Sequence, residues 1–262
     1  MFFVNSAKIF LVQISAVIIA FNEEEKIARA IESVRWADEI LVVDSESTDK
    51  TVEIAEASGA KVLHQKWLGF SKQKQFAVDS AKNDWIFSLD ADEVVSDELK
   101  AELLKLKTAE KDLADGYRIA RLSYYLDRPI RHSGWYPDWQ LRFFDRRKGK
   151  WKDVLIHESV EVNGTVTKIN GDILHFSVEN AAHHHRMIGE RYAPLAAEQM
   201  FMNGRKTTPF KIATAGFTAF FQTYFLKLGF LDGLAGFCIA RFAAHHAFLK
   251  HLMLWELQRN KK

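Results

Sequence analysis

The sequence predicts an α/β protein with a mixed, mainly parallel sheet, followed by a helical region at its C-terminal end. Short apolar runs alternate with helical patterns over the first hundred residues, as in a series of βαβ units. From residue 181 onward the sequence shows helical patterns, interrupted at Asn203-Gly204, Thr208-Pro209 and Gly229. These two observations separate a mainly parallel sheet from a helical C-terminal region.

Four strands and four helices are predicted in the first hundred residues. The strands cover residues 15–20, 39–43, 61–64 and 84–89, and the helices cover residues 24–34, 51–57, 71–81 and 96–105. In an open parallel sheet, ligands bind beyond the carboxyl ends of the strands. We therefore expect functional side chains directly after these strands.

The middle of the chain has a different pattern. Residues 115–177 form short alternating runs separated by Gly and Asn turns, which indicates a β-rich segment. Asn163-Gly164 lies between two such runs and predicts a β-hairpin.

Composition limits the class of protein. With 262 residues, 48% hydrophobic and 27% charged, the chain suits one large globular domain or a domain with an appendage. Its single cysteine, Cys238, excludes a disulfide framework and a cysteine-based zinc site. A cytosolic location fits this cysteine usage.

The C-terminal region is basic and aromatic. Residues 183–262 carry eleven Lys/Arg against four Asp/Glu, a charge of +7 that leaves −5 for residues 1–182, and they hold ten of the twenty Phe. This combination suits an anionic membrane surface. The longest uncharged run, residues 212–226, has fifteen residues and is shorter than the roughly 20 that a membrane span needs. It is expected to lie on a membrane; a helix buried in the protein core is the alternative.

Carboxylates follow the predicted strands. The glycine-rich fingerprints of dinucleotide and Walker-type sites are missing after the first strand. Asp44 follows the second strand, where it could accept hydrogen bonds from a ribose or a base, or could simply cap a turn. Asp90 and Asp92 follow the last strand and would point the same way on an extended chain, so they could share one hard cation. A solvated turn is the alternative for this pair.

Three motifs resemble the signatures of family 2 glycosyltransferases: residues 16–24 (AVIIAFNEE), 42–49 (VVDSESTD) and 90–92 (DAD). Three segments, residues 69–75 (GFSKQKQ), 84–93 (DWIFSLDADE) and 135–142 (WYPDWQLR), resemble the branch that adds glucose to the inner core of bacterial lipopolysaccharide. The resemblance covers nearly the whole chain.

The resemblance implies a GT-A fold, a nucleotide-diphosphate sugar donor such as UDP-glucose, inversion at the anomeric carbon and a divalent metal, Mg²⁺ or Mn²⁺. It implies a lipid-linked saccharide acceptor and no nucleic-acid partner. Asp92 is expected to bind the metal. The donor is expected to contact Ala20, Phe21, Glu23, Asp44, Lys74, Asp90 and Arg142.

By the same resemblance, Asp138 is the catalytic base and Arg142 is the basic residue that follows it. An inverting displacement needs a carboxylate to take the acceptor proton and an electrophile to stabilise the departing diphosphate. Pro137 stands where the family more often has Glu. The alternative is a structural Asp138 paired with Arg142.

Two histidine segments could also contribute. His157 could supply an imidazole to the metal or the diphosphate. The run of three histidines at residues 183–185 cannot face one ion, because neighbours on a helix point about 100° apart. A solvated or headgroup-facing run is expected there.

The predicted organisation has three parts: a nucleotide-sugar half in residues 1–105, an acceptor-side β-rich part in residues 106–180, and a membrane-associating region in residues 181–262. The protein is expected on the inner face of the cytoplasmic membrane. A sugar nucleotidyltransferase is a second hypothesis, although the acidic segment after the first strand lacks the glycine-rich basic loop of those enzymes. A catalytically silent membrane scaffold is a third.

Overall fold

The computed structural model describes residues 12–108, 113–153, 158–178 and 180–259. The strands are β1 Ile14–Ala20, β2 Glu39–Asp44, β3 Lys61–His64, β4 Trp85–Asp90, β5 Glu93–Val95, β6 Gly116–Tyr125, β7 Arg128–Pro129, β8 Asp138–Asp145, β9 Gly149–Trp151, β10 Val160–Val162 and β11 Val166–His175. The α-helices are α1 Ile27–Ser33, α2 Thr51–Ala57, α3 Phe70–Ser80, α4 Asp97–Lys107, α5 Ala181–Arg186, α6 Ala193–Met202, α7 Pro209–Phe221 and α8 Gly233–Arg259.

The chain divides into two compact units. The first comprises Met1–Arg121 and Asp138–His175, and the second comprises Leu122–Pro137 and Phe176–Lys262. The first unit contains the main sheet, in the order β3-β2-β1-β4-β8-β6-β11-β5. β1 to β4 run parallel, whereas β8 is antiparallel to its neighbours β4 and β6. This is the predicted mixed sheet with a parallel half.

Apolar side chains cover both faces of the parallel strands. Six of the seven β1 residues are buried, because helices pack on each side of a βαβ sheet. One face packs against Ile27 and Ile31 of α1, and the other packs against Ala77 and Val78 of α3. The predicted helix at residue 96 starts as its sequence indicates, since Ser96 Oγ accepts from Leu99 N at 3.2 Å and caps α4.

The predicted hairpin at Asn163-Gly164 is wrong. β10 pairs with β9 in a separate two-stranded sheet, and β11 lies between β6 and β5. The chain does change direction at Gly164, where a Cβ atom would be 2.0 Å from Asp115 Oδ2. A turn motif marks a reversal of the chain, but the hydrophobic surface available to each strand decides which partner it pairs with.

The second unit contains α5 to α8. Two π-helical turns, Met187–Tyr192 and Gln222–Leu226, and a 3-10 turn, Gly229–Asp232, interrupt the helices. Among the described helices, none is both long enough and apolar enough to cross a membrane. Within α7 only Ala215 is buried, so the hypothesis of a buried core helix does not describe this segment.

His184 corrects the expectation of a solvated histidine run. It is buried in the second unit, where its Nδ1 lies 3.3 Å from Tyr125 Oη and its ring centroid lies 4.0 Å from that of Phe242. Burial, with a smaller contribution from the neighbouring His183, lowers the pKa of His184 from 6.5 to about 4. The exposed His185 is the expected solvated residue.

This buried imidazole predicts a pH-dependent stability. Since the folded-state pKa lies below the unfolded value, the contribution is complete above pH 6.5 and is lost as pH falls toward about 4. The loss should approach roughly 3 kcal/mol at about 1.4 kcal/mol for each unit. Urea unfolding across this window should show the full loss for the wild type and for His185→Gln. His184→Gln should show a smaller loss, because the lowered pKa values of His245, His246 and His251 remain. An unchanged pH slope in His184→Gln would contradict this account.

Candidate active site

Two carboxylates end the parallel strands β2 and β4, which flank β1 in the sheet. In the register of the sheet, Ala20 of β1 is opposite Asp44 of β2, and Ile19 is opposite Asp90 of β4. The central strand therefore brings the two acidic strand ends to the same edge of the sheet. This edge is where a parallel sheet binds ligands.

Asp44 offers a buried acceptor atom. The residue is only 1% exposed; its Oδ2 accepts from Ser47 N at 3.1 Å and lies 3.5 Å from His64 Nδ1. Its Oδ1 is buried and has no hydrogen-bond partner within the described parts of the chain. Because an unsatisfied buried carboxylate oxygen is unfavourable, a ligand that donates a hydrogen bond there would be stabilised.

The loop after β1 is fastened to the loop after β2. Asn22 Oδ1 accepts from Thr48 N at 2.8 Å, and Glu23 N donates to Thr51 Oγ1 at 2.7 Å. These bonds fix the backbone around Ala20, Phe21 and Glu23 beside the Asp44 strand end. Phe21 is 55% exposed, so its ring is available to a ligand. Asn22, which we did not single out from the sequence, joins the two loops.

Asp90 lies between two buried cations. Lys74 Nζ is 2.8 Å from its Oδ1 and Arg142 Nη2 is 3.1 Å from its Oδ2. Burial raises the pKa of Asp90, but the charges of Lys74 and Arg142 outweigh burial and hold it far below its usual range. Trp151 covers both cations, with its ring centroid 4.9 Å from Lys74 Nζ and 6.0 Å from Arg142 Cζ. Three predicted donor residues thus form one cluster.

Arg142 retains unused hydrogen-bonding capacity. Its Nε and Nη1 are buried and have no partner among the described residues. Burial lowers the pKa of its guanidinium, but the charges of Glu93 and Asp90 outweigh burial. The pKa is raised overall, and the group stays charged. A buried, charged donor without a partner is well suited to a phosphate oxygen.

Glu93 connects this cluster to the predicted base. It is fully buried and accepts from Arg142 Nη2 at 3.0 Å, Arg121 Nη1 at 3.3 Å and Asp90 N at 2.9 Å. Sequence reasoning missed both Glu93 and Arg121 as site residues. The only local signal was a third acidic residue directly after Asp90 and Asp92.

Asp138 is paired with Arg121. Arg121 Nε and Nη2 donate to Asp138 Oδ2 at 2.9 and 2.7 Å, and Gln140 Nε2 donates to Oδ1 at 2.7 Å. The alternative pairing of Asp138 with Arg142 is therefore wrong, since Arg142 binds Asp90 and Glu93. Asp138 remains 37% exposed and can be reached by an acceptor hydroxyl.

Asp92 has a different partner from Asp90. β4 ends at Asp90, and residues 91 and 92 form a turn, so the extended geometry expected for this pair does not continue to Asp92. His175 Nε2, at the end of β11, lies 3.4 Å from Asp92 Oδ2. Burial raises the pKa of Asp92, but the hydrogen bond and charge of His175 outweigh it, so the pKa is lowered.

A carboxylate and an imidazole are suitable ligands for Mn²⁺ and acceptable ones for Mg²⁺. Asp92 and His175 are therefore the described residues that could hold a divalent metal. Within the described ranges, no group of three or more His, Cys, Asp or Glu side chains is placed to hold a metal ion. The predicted ligand His157 lies outside the described residues.

Comparison with known proteins agrees with this architecture. A family model described as glycosyl transferase family 2 matches residues 15–165. The chain is a glycosyltransferase and so an enzyme, with an α/β, GT-A-like fold. It belongs to glycosyl transferase family 2, which confirms the family predicted from its motifs.

Relatives extend over nearly the whole chain. An uncharacterized glycosyltransferase of Rickettsia bellii is 35% identical, covering 94% of this chain and 87% of the relative. The lipopolysaccharide core biosynthesis glycosyltransferase LpsC of Rhizobium meliloti is 30% identical, covering 93% of this chain and 92% of the relative. Among solved structures, glucosyl-3-phosphoglycerate synthase from Mycobacterium tuberculosis is 28% identical over 44% of each chain, with a TM-score of 0.33.

Proposed function

We propose that this enzyme transfers glucose from UDP-glucose to a lipid-linked saccharide, such as the inner core of lipopolysaccharide, with inversion at the anomeric carbon. The observation that carries this proposal is the similarity to LpsC over 93% of this chain. Similarity of that extent includes the C-terminal helices and the end of the β-rich middle, which lie beyond the family model's match to residues 15–165. The proposed acceptor class is therefore supported by similarity outside the sugar-nucleotide half as well as within it.

The strand-end residues support a nucleotide-diphosphate sugar as donor. The unpartnered Asp44 Oδ1 could accept from the base, as an uncharged donor group would satisfy it. Arg142 offers two unpartnered guanidinium nitrogens for the diphosphate, and Lys74 adds a second buried positive charge. Asp92 with His175 would hold Mg²⁺ or Mn²⁺, and the bound metal would neutralise charge on the leaving diphosphate.

The transfer itself requires one proton movement and one bond exchange. The acceptor oxygen attacks the anomeric carbon from the face opposite the diphosphate, and the bond from that carbon to the phosphate oxygen breaks. Asp138 takes the proton from the acceptor hydroxyl as the new bond forms. Arg121 and Gln140, which bind its two oxygens, orient the carboxylate. Arg142 stabilises the charge that develops on the diphosphate.

The helical unit supports a location on the inner face of the cytoplasmic membrane. Phe217 of α7 is 74% exposed, and Phe221 and Phe225 follow on the same side at four-residue spacing, also exposed. Helices with such an apolar face and basic flanks bind at the interface of anionic bilayers. We expect the protein to sediment with anionic vesicles and to be released by high salt.

The test is transfer by the purified full-length protein. UDP-glucose should be consumed in the presence of lipopolysaccharide from a core-truncated strain, and other nucleotide sugars should be poor donors. Proton NMR of the product should show the inverted anomeric configuration. A different preferred donor would overturn the glucose assignment. Failure to bind or hydrolyse any nucleotide sugar would instead favour the silent scaffold.

A further inference from the structure

The second unit contains a loop held by one buried carboxylate, Asp232. Asp232 accepts from the backbone nitrogens of Arg131 and His132 at 3.3 and 3.1 Å, from Ser133 Oγ at 3.3 Å, and it lies 3.0 Å from His132 Nδ1. The carboxylate is buried and its oxygens are occupied by these contacts. It therefore organises residues 131–133 and is not available to the exposed cations around them.

Three of those cations lack an acidic partner. Within the described ranges, the exposed side chains of Arg128, Arg131 and Lys227 form no ion pair with a carboxylate. Arg131 instead lies over the Tyr136 ring, with Cζ 5.3 Å from its centroid. Asp127 is exposed beside Arg128 in the sequence but is not paired with it.

Two of these cations, Lys227 and Arg128, lie against glycines that directly follow Ser133 and Asp232. A Cβ atom on Gly134 would be 2.8 Å from Lys227 Nζ, and Ser133 N donates to Lys227 O at 2.9 Å. A Cβ atom on Gly233 would be 3.0 Å from Arg128 Nη1, and Gly233 directly follows Asp232. Both glycines have a positive φ, 77° and 64°, and their missing side chains leave the room that the two cationic groups occupy. We call Arg128, Arg131 and Lys227 the cationic cluster.

Exposed apolar side chains border the cationic cluster on both sides of Lys227 and Gly233. Leu226 is 68% and Leu234 is 70% exposed. The other members of this apolar border are Leu228, Phe230 and Leu231. Cationic side chains beside exposed aliphatic and aromatic residues match a bilayer surface. The cations can bind the lipid phosphates, and the apolar side chains can contact the acyl chains next to them.

We propose that the cationic cluster binds the phosphate of an anionic membrane lipid while the apolar border inserts beside it. This inference rests on the proposed membrane location and adds a specific headgroup site to it. Arg128 and Arg131 come from the segment between β6 and β8, not from the basic C-terminal region. The site therefore joins residues about a hundred positions apart in sequence around Asp232.

The test is vesicle sedimentation of the full chain with Arg128→Gln/Lys227→Gln. Vesicles are made of phosphatidylcholine alone or of an equal mixture with phosphatidylglycerol. Removing the two charges should weaken binding to the anionic vesicles about 25-fold, at about 5-fold for each charge, and should leave binding to neutral vesicles unchanged. The matched control is Lys61→Gln/Lys100→Gln, which removes the same charge from exposed positions in the first unit and should change binding less than about 2-fold.

Each other outcome has a definite meaning. Equal losses in the two double variants would overturn the headgroup site, because net charge alone would then explain binding. If Arg128→Gln/Lys227→Gln lost binding of inorganic phosphate in solution but kept wild-type binding to the anionic vesicles, the cluster would be a site for free phosphate and the headgroup site would be overturned. A wild-type protein that binds neither vesicle would overturn the membrane location itself. Transfer to a detergent-dispersed acceptor tests the proposed reaction separately from all of these.

Discussion

Asp92→Asn is expected to reduce sugar transfer roughly 10³-fold or more, since a metal supplies several kcal/mol of charge stabilisation to a departing diphosphate. The asparagine has the same shape but a weaker affinity for a hard cation. His175 would keep a hydrogen-bond partner, so the fold should survive. Transfer assays with and without EDTA, with thermal unfolding in parallel, measure both effects.

The control for Asp92→Asn should be another Asp→Asn variant whose carboxylate has no buried partner. Asp90→Asn would be a poor control, because Asp90 is ion-paired with the buried Lys74 and Arg142. Its loss should destabilise the protein by roughly 3–5 kcal/mol, because buried cations would lose their partner. Asp97→Asn, at the exposed start of α4, is the better match. Wild-type turnover by Asp92→Asn, or insensitivity to EDTA, would contradict the metal assignment.

Asp138→Asn is expected to lose transfer by about 10²- to 10⁴-fold, the usual contribution of a general base. Its donor affinity in the presence of metal, measured by calorimetry, should stay close to wild type, since the strand-end cluster around Asp90 is formed by other residues. Arg121 would keep its contact with Glu93 at 3.3 Å, which limits the structural damage. Asp153→Asn, an exposed carboxylate, is the matched control.

A purely structural Asp138 predicts a different result. Thermal stability would then fall, and transfer would partly survive in the folded fraction. Near-normal transfer by a folded Asp138→Asn protein would move the base to another carboxylate. Glu158 is the next candidate, since its charge acts on Arg142.

The sequence by itself determined the parallel half of the fold and its acidic strand ends. The predicted strand at residues 39–43 is observed as Glu39–Asp44, that at 61–64 as Lys61–His64, and the helix predicted at 96–105 as Asp97–Lys107. These elements are defined by local signals: apolar runs, helical periodicity and caps such as Ser96. The positions of Asp44 and Asp90 at one edge of the sheet could be predicted from these strands, because parallel strands end at a common edge.

Only the tertiary structure decided which side chains meet there. Arg121 reaches Asp138 because β6 pairs with β8, and Arg142 reaches Asp90 across 52 residues of sequence because β8 lies beside β4. His175 approaches Asp92 because β11 pairs with β5. Pairing between strands so far apart in sequence depends on which hydrophobic faces the rest of the fold leaves exposed. A short sequence motif contains information only about the residues next to it. The contacts of Arg121 and His175 therefore left no local pattern in the sequence, and the only local sign of Glu93 is its position directly after Asp92.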